Sequence, residues 1–115
     1  MALEFFDWDV GDVTVLHLQG PLTLGDATQK FRSIIREFLD AGKKKILLNM
    51  EEVYYIDSSG LGELVAACTS ATNQGGKVKV MKLTKRVQDV VQLTKVHRVV
   101  EVFEDEDSAV KSFQQ

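Results

Sequence analysis

Ile46 to Met50 is a short apolar run with Lys43-Lys44-Lys45 before it and Glu51-Glu52 after it. It is shorter than an ordinary helix. Its lack of polar alternation is the mark of a strand covered on both faces. Such a strand belongs inside a sheet with helices packed against it, and the flanking sequence supplies them. Ala27, Phe31, Ile34, Ile35 and Phe38 fall on one face of a helix from about Asp26 to Ala41, with Gly42 as its stop. Leu61, Leu64, Val65, Cys68 and Ala71 mark a second helix, ended by Gly75-Gly76.

The remaining elements follow the same periodicities. Phe5 to Val10 and Val13 to Gln19 form two strands around Gly11-Asp12, a hairpin signal, and Gly20-Pro21 ends the second. Val78 to Leu83 is the next strand. Thr84 is placed to cap a helix carrying Val87, Val90, Val91 and Thr94. Val99 to Phe103 is a last strand, and Asp105 caps a final helix through Ala109, Val110 and Phe113. The order is β-β-α-β-α-β-α-β-α. Strands separated by single helices are expected to run parallel through right-handed crossovers, with one antiparallel strand added by the hairpin. The fold class is therefore α/β: a single domain over residues 1–115, with a mostly parallel central sheet, an N-terminal antiparallel hairpin and about four helices.

Composition narrows the function. With 14 basic and 17 acidic side chains the net charge is -3, and 44% of residues are hydrophobic. This balance argues against direct nucleic-acid binding and against an anionic membrane surface as the main partner, since both need a basic face. The simplest reading of Lys43 to Lys45 is a solvated turn, and of Lys77 to Arg86 a strand with its lysines in water. The single cysteine, Cys68, lies on the apolar face of the second helix and reads as a core residue. Its isolation points to a reducing compartment. No apolar run is long enough for a membrane span. The N-terminus MALEFFDWDV is acidic and aromatic, unlike a targeting peptide. A cytoplasmic protein is the expectation.

The segment Ile56-Asp57-Ser58-Ser59-Gly60-Leu61-Gly62-Glu63-Leu64-Val65 is the most unusual. A strand-like run reaching Ile56 ends in an acid and two hydroxyls, and a helix then starts with two glycines in its first turn. Each glycine costs a helix about 1 kcal/mol relative to alanine. Two in one turn imply a close backbone approach or a turn that stays bare. Asp57, Ser58 and Ser59 sit where unpaired N–H groups favour anions. In open α/β sheets this end of a parallel strand is where ligands and chemistry gather. Helix capping by Asp57 or Ser58 is the leading explanation on physics alone. Ser58 lacks the reciprocal acid of a capping box, because Leu61 stands three residues on. A phosphate-related role is the competing explanation.

Catalysis lacks its parts. The segment is not the G-x-S-x-G of a nucleophile elbow. His17 within a strand pattern and His97 just before one are poor candidates for a base. No phosphate-binding glycine loop is present. The acids from Glu101 to Asp107 lack the calcium-loop spacing and read as the start of a solvated helix. Neither catalytic residues, metal ligands nor a cofactor are expected.

The run D-S-S-G-L-G-x-L after a strand and before a helix resembles the phosphorylation motif of STAS domains, and more narrowly the bacterial anti-sigma factor antagonists. The likeness spans nearly the whole chain, from the opening hairpin to Phe103 before the last helix. It implies a STAS-like fold and a protein substrate rather than an enzyme. By position it makes Ser58 the phosphoryl acceptor, with Asp57, Ser58, Ser59, Gly60, Leu61 and Gly62 forming the partner-binding segment. It implies an anti-sigma factor that is also a serine kinase as the partner, supplying ATP and magnesium itself, and a phosphatase that resets the switch. Unmodified protein would bind the kinase and release a sigma factor. The bareness of both glycines would let a partner loop approach.

One departure stands out. Many antagonists read G-E-L-D after the second strand, where this chain reads Gly20-Pro21-Leu22-Thr23. The alternative reading is a STAS interaction module that is never phosphorylated, as in stress-signalling scaffolds, lipid-transport machinery and anion transporters. A receiver domain phosphorylated on Asp57 would need an acidic pair where Gln19-Gly20-Pro21-Leu22 stands. A small-ligand sensor using the helix start as an anion site is a further alternative.

Overall fold

A computed structural model describes residues 2–114. Five strands form one sheet in the order β1-β2-β3-β4-β5. They are β1 (Glu4–Val10), β2 (Val13–Gln19), β3 (Lys45–Glu52), β4 (Lys77–Met81) and β5 (Val102–Phe103). Only β1 and β2 are antiparallel, and the other neighbours pair parallel. Four helices connect or follow them: α1 (Asp26–Asp40), α2 (Ser58–Asn73), α3 (Lys85–Leu93) and α4 (Glu106–Ser112).

The run from Ile46 to Met50 is buried residue by residue, as its composition demands. Strand alternation sends Ile46, Leu48 and Met50 to one face, where they join Leu16, Leu18, Phe31, Ile35, Leu64, Val87 and Val91 in the main core with α1, α2 and α3. Leu47 points the other way, into a smaller cluster of Val13, Val15, Met81, Ala109 and Phe113. On that face α4 supplies Ala109 and, at its C-terminal cap, Phe113.

Three strand boundaries differ from the sequence expectation. The strand-like run to Ile56 leaves the ladder at Glu52, because the Val53 amide turns back to the Met50 carbonyl (3.1 Å). Ile56 then makes only an isolated bridge with Leu22. β4 stops at Met81, where Lys82 adopts a left-handed φ of 58°. The last strand shrinks to two residues, because Val96–Arg98 forms a 3-10 turn that accepts the amides of Val99 and Val100 at the Val96 carbonyl.

The lysines also differ. Lys79 is not solvated: it is only 4% exposed. Its Nζ donates to Ser112 Oγ (2.9 Å), stands 3.6 Å from Glu101 and lies 4.6 Å from the centre of the Phe113 ring. Lys85 and Arg86 belong to α3 rather than to the strand. In the Lys43–Lys45 turn, Lys44 Nζ donates to the Leu39 carbonyl and Lys45 pairs with Asp12 at 2.5 Å. Cys68 is a core residue: burial, helped by Glu101, pushes its thiol up to about 11.

Candidate functional site

The loop from Val53 to Asp57 delivers the chain into α2, and Asp57 is the N-cap. Its backbone is extended, and its Oδ1 accepts from the Gly60 amide at 2.8 Å. Its Oδ2 is also engaged, accepting from the Leu24 amide at 2.9 Å. One carboxylate thus caps the helix and holds the loop between β2 and α1. Those two amides, Leu24 first and Gly60 next, hold the Asp57 carboxyl below the usual carboxylate range, and Ser59 adds to them.

That depressed pKa fixes a pH dependence. A carboxyl lowered on folding stabilises the native state above its unfolded pKa, and the contribution fades as pH falls through the folded value. Asp57→Asn should therefore show a shallower loss of stability than wild type between about pH 5 and pH 2, measured by urea midpoints. Identical slopes would remove Asp57 from the acid limb.

Because Asp57 does the capping, neither serine hydroxyl is spent. Ser58 is exposed at the first helical position and Ser59 is half-buried. Neither side chain hydrogen-bonds to another described residue.

The two glycines have different causes. Gly60 is buried, and a Cβ there would collide with the backbone carbonyl of Leu22. Leu22 is pinned in that place: its amide donates to the Tyr55 carbonyl (3.0 Å), and its carbonyl accepts from the Asp57 amide (3.4 Å). The close approach inferred from sequence is real at Gly60, but the approaching backbone is the chain's own. Gly62 is exposed with nothing within 4 Å of a Cβ, so the expectation of open space holds there alone. Leu61 is buried in the core.

Sequence reasoning passed over the apolar rim. Leu24 is 76% exposed, Tyr54 64% and Tyr55 46%. Leu24 is one hydrogen bond from Asp57, and Tyr54 and Tyr55 lie on the loop leading to it. The Arg86 guanidinium sits 5.2 Å from the centre of the Tyr55 ring. In the sequence the adjacent pair Tyr54-Tyr55 is the signal for this rim, and its strand-like composition masks it.

The other candidates are scattered. His17 is buried in β2, 2.5 Å from Glu52, while His97 is exposed near the Val91 carbonyl. Among the described residues no three His, Cys, Asp or Glu side chains gather to hold a metal. No described helix is long and apolar enough to cross a membrane.

Fold and site together define an α/β domain that presents a serine at a helix start beyond the carboxyl end of a parallel strand. The STAS domain model matches residues 9–109, and the chain belongs to that family. A Thermotoga neapolitana protein named a "putative anti-sigma factor antagonist" homologue is 30% identical over 91% of this chain and 93% of its own length. A crystal structure of a "putative anti-sigma factor antagonist" from Thermotoga maritima superposes with a TM-score of 0.89 at 28% identity, covering 96% of this chain and 95% of that one. The Bacillus cell fate determinant SpoIIAA in its phosphorylated form shares the fold, with a TM-score of 0.71 at 21% identity over 95% of this chain and 98% of that one.

Proposed function

We propose that this protein is an anti-sigma factor antagonist whose binding to an anti-sigma factor with serine kinase activity is switched off by phosphorylation of Ser58. The observation that carries the reading is the division of labour at the start of α2. Asp57 takes the capping task and leaves the Ser58 hydroxyl exposed and unengaged. The names of the relatives support the general role.

The site serves as a substrate surface rather than a catalyst. A kinase that brings its own nucleotide and metal needs only an accessible hydroxyl on a fixed backbone. Phosphorylation adds about -1.5 to -2 charges. The helix start stabilises part of that charge, but Asp57 already holds the Gly60 amide. The new charge therefore stays largely uncompensated beside an existing carboxylate. Around it lie Leu24, Tyr54 and Tyr55, an apolar surface suited to close docking. A phosphate at its centre opposes that docking through desolvation and repulsion. A phosphatase resets the state, and the binding is intracellular.

Intact-mass measurement after incubation with a co-purified anti-sigma kinase and ATP tests this. One phosphoryl group is expected on wild type and on Ser59→Ala, and none on Ser58→Ala. Modification that persists in Ser58→Ala would refute the assignment. In binding assays, Ser58→Asp should weaken the complex roughly tenfold or more.

A second reading is favoured by the loop Gly20-Pro21-Leu22-Thr23 and the apolar rim beside it. In it the same surface docks a partner without ever being phosphorylated, as in a signalling scaffold. Unmodified Ser58 in protein isolated from its native host alongside an active kinase would select that reading.

A further inference from the structure

The acidic, aromatic N-terminal segment plays no part in the Ser58 site. It forms β1, which pairs only with β2 among the described strands and so leaves one edge of backbone N–H and C=O groups free. Phe6 and Trp8 point to the same face of the sheet. Phe6 is 52% exposed, and its ring stacks on His17 at a centroid distance of 4.7 Å and lies 5.6 Å from Trp8. The result is a stacked aromatic platform open to water on a face where α4 covers the other end.

The unpaired charge along β1 is acidic. No lysine or arginine precedes Lys30, whereas five acids do. Asp9 and Asp12 meet Lys43 and Lys45. Glu4, on the same face as Phe6 and Trp8, is exposed and has no cation within ion-pair distance among the described residues; Asp7 is likewise unpaired but points to the opposite face. Glu52 uses Oε2 for both His17 and Gln19, and its Oε1 has no described partner.

We propose that the β1 edge docks an extended, arginine-bearing segment of a partner protein, which adds as a further strand. Free backbone groups supply the pairing. The aromatic faces and nearby carboxylates select guanidinium, a planar cation that stacks and hydrogen-bonds together. A second copy of this chain is a poor occupant, because antiparallel β1–β1 pairing sets acids against acids.

Trp8 is the only tryptophan, so its fluorescence reports on this surface directly. The probe is a peptide of the seven-residue length of β1 that alternates arginine with threonine, with a glutamate–threonine peptide as control. The arginine peptide is expected to give a saturable change at low salt, weakened roughly tenfold in high salt. The change should weaken at least as much in Phe6→Ala and Glu4→Lys, both at exposed positions on the platform's face, and be unchanged in Ser58→Asp. Amide shifts on titration should centre on residues 4–10. Absence of saturation at millimolar peptide, equal response to the glutamate peptide, or full binding by both variants would overturn the proposal. Self-association of the protein through β1 without peptide would do so too, by naming a different occupant. The Ser58→Asp arm separates this surface from the Ser58 site, whichever way the phosphorylation experiment falls.

Discussion

Alanine at position 60 is expected to destabilise the fold by about 3 kcal/mol, while alanine at position 62 leaves it unchanged or stabilises it by up to about 1 kcal/mol. Both glycines stand in the first two turns of α2, and helix propensity alone would make both substitutions favourable. The difference lies in what each Cβ meets. At Gly60 it meets the Leu22 carbonyl oxygen, a backbone atom that cannot rotate aside. Relief requires moving the loop, which breaks the Leu22–Tyr55 and Asp57–Leu22 hydrogen bonds and strains the Asp57–Leu24 link. At Gly62 the Cβ enters open space. Urea unfolding of the two variants measures the contrast. Equal effects would mean that the loop is not seated on α2 as described. Gly60→Ala should also disturb partner binding through the displaced Leu24, whereas any loss in Gly62→Ala must come from the partner's own approach.

Lys79→Glu is expected to cost about 3 kcal/mol or more, and Lys79→Met to fall within about 1 kcal/mol of wild type. The ammonium is buried beside the Phe103 and Phe113 rings and hydrogen-bonded to Ser112 at the end of α4. Each of these neighbours favours a cation: ring faces are electron-rich, and a helix C-terminus is the negative end of its dipole. A carboxylate there faces the same rings, the same dipole and Glu101 with the wrong sign. Methionine keeps the aliphatic stem and abandons only the charge. Its loss is tolerable because Glu101 is largely solvated and the Ser112 hydroxyl still donates to the Ala109 carbonyl. The readout is the thermal midpoint, which for a domain of this size moves by roughly 4 °C per kcal/mol. A large loss in Lys79→Met would show that the charge itself holds α4 to the sheet.

Much of this architecture was legible because the strongest signals were periodic. The helix faces, the hairpin, the caps at Thr84 and Asp105 and the buried central strand each follow from local spacing, and each is present. What escaped depends on contacts across the chain. Val99 and Val100 carry a strand-like composition, but a preceding turn draws their amides away from the ladder. The position of Lys79 in an outwardly alternating strand suggested water, because nothing in its neighbourhood of sequence announces Phe113. At the site, the motif marked Asp57 and Ser58, but only the folded chain shows that Asp57 rather than Ser58 caps α2. The cause of Gly60 lies almost forty residues away, at Leu22, where no local pattern reaches it.

The seating of Leu22 has a consequence for how such a domain diversifies. Its side chain is fully buried and both of its peptide groups are fastened, so Leu22, the glycine at 60 and the Asp57 carboxylate on the Leu24 amide set the path of the loop. The side chains of Pro21, Thr23 and Leu24 ride on that path without defining it. Their identities are exchangeable in a way that those of Leu22 and Gly60 are not. Editing the residues on either side of Leu22 would therefore change the surface beside Ser58 while the start of α2 stays in place.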